Sequence, residues 1–164
     1  FLIENDLIPQ EARENFKLTV ESLLMRIEPM FNGIKNIRIH GDCHFGNVLW
    51  TPDGATFLDF DDMANGPAVQ DIWMLVPGYD EHARLQREVL IEAYESFREF
   101  DRQEMRLIEP LRALRYIHYA SWIARRWEDP IFKRTFEHFG TVQYWQKETL
   151  DLREQIGRID MLTY

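Results

Sequence analysis

One stretch of the chain, His40-Gly41-Asp42-Cys43-His44-Phe45-Gly46-Asn47, concentrates chemically capable side chains, and Asp59-Phe60-Asp61-Asp62 begins twelve residues after Asn47. An aspartate, an asparagine five residues later and a further aspartate beyond a hairpin make up the set that phosphoryl transfer to a hydroxyl requires. That reaction is mainly positioning plus neutralisation of phosphate charge. Hard oxygen ligands must therefore face one point, while a separate carboxylate faces the attacking hydroxyl. In this reading Asp42 accepts the hydroxyl proton, and Asn47 and Asp59 hold Mg²⁺ against the phosphates of ATP.

The flanking sequence must supply the geometry. Val48-Leu49-Trp50 and Thr56-Phe57-Leu58-Asp59-Phe60 surround the turn Pro52-Asp53-Gly54, which predicts a β-hairpin joining the two polar segments. Ile37-Arg38-Ile39 leads into the first of them. Upstream, Pro9 opens a helix with Phe16, Val20, Leu23, Leu24, Ile27 and Met30 at spacings of three and four, closed by Asn32-Gly33. Downstream, Ala68 to Val76 reads as a short helix stopped by Pro77-Gly78. Leu85, Val89, Leu90, Ala93, Tyr94, Phe97 and Phe100 mark a second amphipathic helix. Asp101 caps a third, carrying Leu107, Leu111, Leu114, Ile117 and Ala124 and kinked or divided at Pro110. A loop at Asp129-Pro130 precedes a last helix from Thr141, with Trp145, Thr149, Leu152, Ile156 and Ile159. The expected fold is mainly α with a small β-hairpin, an α+β architecture.

Composition narrows the class. The 164 residues are 45% hydrophobic, enough for a sizeable core and against disorder. With 19 basic and 28 acidic residues the net charge is −9, which disfavours binding to nucleic acid or to an anionic membrane surface. No run approaches the roughly 18 apolar residues of a membrane span. The single cysteine, Cys43, cannot form an internal disulfide, which fits a cytoplasmic location.

The block HGDCHFGNVLW followed by FLDFDDMANGPAVQDIWML resembles the aminoglycoside-phosphotransferase-like kinases. Within them it is most similar to the bacterial stress response kinase A family of ATP-dependent Ser/Thr protein kinases. The resemblance is strongest over residues 38–76, and the arginine-rich helix from Leu111 to Trp127 adds to it. It implies the protein-kinase-like fold, with Asp42 as catalytic base and Asn47 and Asp59 as magnesium ligands. Asp71 is implied as the buried aspartate bracing the catalytic loop, and His40 as a packing residue beneath the site. A protein Ser/Thr hydroxyl is the implied acceptor, with a small-molecule alcohol, as in aminoglycoside, choline or homoserine kinases, the alternative.

Two departures carry weight. Gly41 stands where eukaryotic-type kinases place an arginine, and too few residues separate Asp62 from Gly66-Pro67 for a long activation segment. Regulation by activation-loop phosphorylation is therefore not expected. The chain also has no glycine-rich phosphate loop, and its four lysines (Lys17, Lys35, Lys133, Lys147) belong to no nucleotide-binding motif. The expectation is that residues 1–164 form the C-terminal lobe, with the N-terminal nucleotide-binding lobe absent from this sequence. Such a lobe exposes an apolar docking face that favours self-association.

Other residues have bland readings beside sharper ones. Asp61 either joins the metal shell or is a capping or solvated carboxylate. His44 either contacts substrate or phosphate or is a hydrogen-bonded structural imidazole. Cys43, with no cationic partner evident to lower its pKa, is expected buried and inert. Arg112, Arg115, Arg125 and Arg126 either offer a positive wall to an acidic or phosphorylated substrate or are solvated or ion-paired, and Trp73, Trp122, Trp127 and Trp145 are expected in the core or a groove wall. Two different classes of function compete with the kinase reading. His40, Asp42 and His44 could converge on one metal ion as a hydrolase centre, and the chain could be a non-catalytic helical interaction module.

Overall fold

A computed structural model describes residues 2, 3 and 6–162. The chain divides into two compact units: residues 33–108 form one, and the described residues of 1–32 with 109–164 form the other.

The unit of residues 33–108 holds all the short strands. β1 (Ile37–Ile39) pairs antiparallel with β4 (Ala64–Gly66), Ile37 opposite Gly66 and Ile39 opposite Ala64. β2 (Val48–Thr51) and β3 (Gly54–Phe57) form the expected hairpin, Val48 opposite Phe57, around the two-residue loop Pro52-Asp53. The strand ends at Phe57 and not at Phe60. Leu58 donates its N–H to the Asn47 carbonyl, after which the backbone turns left-handed at Asp59 and Phe60–Asp62 form a 3₁₀ turn. α2 (Val69–Leu75) buries Val69, Ile72, Trp73 and Met74.

α3 (Glu81–Glu95) starts at Asp80, whose carboxylate caps the Ala83 N–H at 2.9 Å. Its buried row differs from the expected one. Ala83, Arg87 and Ile91, one turn apart, face inward, whereas Leu85 and Val89 are exposed and Phe97 lies beyond the helix at 93% exposure. Arg87 explains the rotation: its guanidinium donates to the Val76 and Gly78 carbonyls, both at 2.8 Å, so a charged residue closes the end of α2 and fixes the inner face.

The other unit is helical. α1 (Gln10–Ile27) begins after Pro9, which serves as its N-cap. α4 (Ile108–Arg125) follows a 3₁₀ segment, Arg102–Leu107, capped by Asp101. Pro110 does not divide the helix, because a proline in the first turn removes an N–H that has no intrahelical acceptor. The break falls earlier, where 3₁₀ gives way to α. The best buried positions of α4 in the core are Ala113, Ala120, Ile123 and Ala124; Leu114 and Ile117 pack half-buried beside them. A short helix, α5 (Pro130–Thr135), stands where a loop was expected, with Asp129 as its cap and Pro130 at its first position. α6 (Val142–Leu162) contributes Trp145, Leu152 and Ile159 to a core shared with Phe16, Leu23 and Ile27 of α1 and with Phe139.

Candidate functional site

Every polar residue of the predicted centre lies in the unit of residues 33–108. The loop from His40 to Asn47 leaves β1 and enters β2, and it is held from below by α2. Asp71 accepts the His40 N–H through Oδ2 at 2.8 Å and the Gly41 N–H through Oδ1 at 2.9 Å. This is the brace implied by the resemblance, and charge assistance makes it a strong one. Its neighbour Gln70 adds a tie missing from the sequence reading. The Gln70 amide donates to the Gly41 carbonyl at 3.0 Å and accepts from the Trp73 indole at 3.0 Å. The signal was present in Val69-Gln70-Asp71, two hydrogen-bonding side chains at the start of a helix that follows the loop's own strand partner.

Three contacts lock this loop onto the segment containing Asp59. The His40 ring bonds the Leu58 carbonyl through Nε2 at 2.8 Å, and a carbonyl can only accept, so Nε2 carries the proton. The Leu58 N–H donates to the Asn47 carbonyl at 2.9 Å. Gly41 has φ +86°, and a Cβ there would lie far inside contact distance of the Asp62 carbonyl oxygen. No side chain fits, so the loop at Gly41 and the 3₁₀ turn at Asp62 approach as closely as backbone allows. His40 is buried and stacks obliquely on Phe60 with ring centroids 4.8 Å apart, in keeping with the packing role expected of it.

Within the loop, Asn47 is buried and its Nδ2 donates to the Asp42 carbonyl at 3.0 Å. With the amide nitrogen committed inward, Oδ1 is left as a hard oxygen donor, which suits a magnesium ligand. Asp59 is exposed and left-handed, at φ 59° and ψ 69°. That conformation strains a non-glycine residue, though aspartate tolerates it better than most. Asp42 is partly buried, its side chain 20% exposed, and Asp61 and Asp62 are exposed on the 3₁₀ turn.

Asn47 and Asp59 thus offer an amide oxygen and one carboxylate. Among the described residues no three His, Cys, Asp or Glu side chains gather as a metal cluster. The proposed hydrolase centre of His40, Asp42 and His44 is therefore not assembled: the His40 ring is turned to Leu58 instead. Cys43 is buried at 4% exposure, and burial first, then the charges of Asp71 and Asp42, pushes its thiol up to about 12. The inert reading holds.

Arg112, Arg115, Arg125 and Arg126 and three of the four tryptophans singled out lie in the helical unit. Arg112 is buried with Nε 3.4 Å from a Glu109 carboxylate oxygen, Arg126 stacks over the Trp122 ring at 4.7 Å, and Trp145 is fully buried. Trp73 is a buried residue of α2. No described helix is long and apolar enough to cross a membrane.

Comparison with known proteins bears on this geometry. Residues 4–108 match the phosphotransferase enzyme family. Stress response kinase A of Salmonella choleraesuis is 45% identical over 150 residues, which is 91% of this chain and 45% of that protein. Stress response kinase A of Escherichia coli K12 and the serine/threonine protein kinase RdoA of Salmonella typhimurium match with the same identity and coverage. The chain therefore spans less than half the length of these curated relatives.

Proposed function

The chain belongs to the phosphotransferase enzyme family, and from that premise we propose that it is the C-terminal, catalytic lobe of an ATP- and magnesium-dependent kinase that phosphorylates protein serine or threonine hydroxyls. The observation that carries this reading is the locking of the His40–Asn47 loop onto the Leu58–Asp62 segment through His40, Asn47 and Gly41. The Asn47 amide oxygen and the Asp59 carboxylate would hold Mg²⁺, which when bound with ATP would neutralise phosphate charge beside the transferable phosphoryl group. The Asp42 carboxylate accepts the proton of the acceptor hydroxyl. Asp71 and Gln70 keep the loop from moving during the reaction.

The relatives' names support a protein acceptor, since one is called a serine/threonine protein kinase. Their greater length supports placing the glycine-rich loop and its lysine in a lobe outside this sequence.

The test is Asp42→Asn in the full-length chain that carries this sequence. Phosphoryl transfer to a basic test protein should fall by at least about 10³-fold, in the range of a lost general base. Mg·ATP affinity should stay nearly unchanged, because the nucleotide is held by other groups. Comparable turnover in the variant would remove Asp42 from the mechanism. Turnover confined to a panel of alcohols, with none on protein, would move the acceptor to the small-molecule class.

A further inference from the structure

We propose that His44 is a positioning residue for Asp42, holding the carboxylate through its Nε2–H, and that glycine at position 46 is what allows the ring to do so. The inference rests on the kinase reading of the site and names a residue that reading leaves without a role. Its basis is the protonation pattern fixed by the backbone. The Gly46 N–H points at His44 Nδ1 at 3.0 Å, and since a backbone N–H can only donate, Nδ1 is the unprotonated nitrogen. The proton of the neutral ring then sits on Nε2, and Nε2 lies 3.4 Å from Asp42 Oδ2.

Asp42 Oδ1 is buried, and the side chain as a whole is 20% exposed, so Oδ2, the oxygen beside His44 Nε2, is the one left for a hydroxyl to approach. A fixed N–H beside that oxygen limits rotation of the carboxylate while leaving its other lone pair for the hydroxyl. The same tautomer rules out a relay. Nε2 already bears a proton, so His44 keeps it throughout and accepts none from Asp42.

Gly46 supplies the independent observation. A Cβ at this position would lie 2.7 Å from His44 Cε1 and 2.9 Å from Nδ1. Its φ is not in the left-handed region, so conformational freedom does not explain the glycine; room for the ring does. The backbone fixes His44 from its other side, with the His44 N–H on the Asp42 carbonyl and the Asn47 N–H on the His44 carbonyl, both at 2.9 Å.

His44 also caps the 3₁₀ turn, and two substitutions separate the roles. Asparagine retains a side-chain acceptor for the Gly46 N–H but cannot reach Asp42. Glutamine retains a donor near the Nε2 position but loses the short cap. In the full-length chain, His44→Asn and His44→Ala should lower kcat by roughly tenfold or more while KM for ATP changes less than about twofold. His44→Gln should restore kcat to within about threefold of the wild type. Losses that follow the cap, with asparagine active and glutamine inactive, would overturn the proposal, as would unchanged kcat in all three. A second readout does not need turnover. In ¹⁵N-edited spectra of the same full-length chain, His44 should show the Nε2–H tautomer, and its Nε2 resonance should move on Asp42→Asn. A ring protonated on Nδ1, or an Nε2 resonance indifferent to Asp42, would refute the contact even in an inactive protein. A wild type without phosphoryl transfer but with the coupled Nε2 signal would instead overturn the kinase reading.

Discussion

Asp71 shows how much of a site can depend on a residue that never meets substrate. Its two oxygens receive the consecutive N–H groups of His40 and Gly41, and no other side chain could do this with a full charge from the same place. Asp71→Asn keeps one acceptor and turns an NH₂ group toward the other N–H. A hydrogen bond to a charged group contributes about 1.5–3 kcal/mol, so a loss of about 2 kcal/mol is expected from urea unfolding of the variant. A change below about 0.5 kcal/mol would mean that the loop is held by Gln70 and the Gly41–Asp62 contact alone. The candidate residues Asp42, Asn47 and Asp59 were legible as a set because phosphoryl transfer dictates such types and spacing. The parts played by Gly46 and the Leu58 carbonyl were not, because they depend on which atoms face one another after folding.

At the level of elements, α2 draws its N-terminal support from a distant part of the same unit. Glu104, on the 3₁₀ segment before α4, is buried and accepts the Val69 N–H at 2.9 Å. Burial raises its pKa above the ordinary value of 4.5, and the Val69 and Ala68 N–H groups offset only part of that. Folding therefore strengthens proton binding at Glu104, and stability from this group declines as pH climbs from 4.5 through the raised folded value. Glu104→Gln removes the charge and keeps an acceptor. The variant should gain on the wild type between pH 4.5 and pH 7 in paired denaturation curves, and a parallel pair of stability–pH profiles would contradict this. Element positions were legible where periodicity or turn chemistry is strong, as in α1, α6 and the β2–β3 hairpin. They were obscure where long-range contacts decide. β4 is Ala-Asn-Gly, a sequence with little strand preference; it is defined by its pairing with β1, where Gly66, opposite Ile37, leaves room for the Ile39 side chain. On α3 the more apolar stripe of Leu85 and Val89 lost to one built around Arg87, since two carbonyls at the end of α2 needed a donor.

For the whole molecule, each unit has its own means of stability, and only one bears the candidate site. The helical unit closes a core around Trp145, Phe16 and Phe139. The unit of residues 33–108 leaves Phe45, Leu49 and Trp50 of the hairpin region 53–71% exposed, beside an apolar groove of about 390 Å³ lined by Phe57, Leu75, Val89 and Leu90. In the lobe reading, the 164 residues alone should unfold cooperatively yet turn over no ATP, because the sequence holds no glycine-rich loop with its lysine to align the γ-phosphate. Their sedimentation should also depend on concentration, despite a net charge of −9, through that apolar surface. Fragment and full-length chain assayed side by side decide it. Activity in the fragment equal to that of the full chain would refute the division into lobes.

In the kinase reading, the left-handed backbone at Asp59 sets fitness for folding against fitness for catalysis at a single codon. Glycine occupies that conformation freely and asparagine more readily than most residues, so relief of up to about 1 kcal/mol is open to either. A saturation library at position 59 sorted only for protease resistance should therefore enrich glycine and asparagine over aspartate. The same library sorted for phosphoryl transfer in the full-length chain should return aspartate. Enrichment of aspartate under both regimes would show that its carboxylate supports the fold itself, and the opposite orders would mark position 59 as one that a stability-guided redesign disarms without any visible damage.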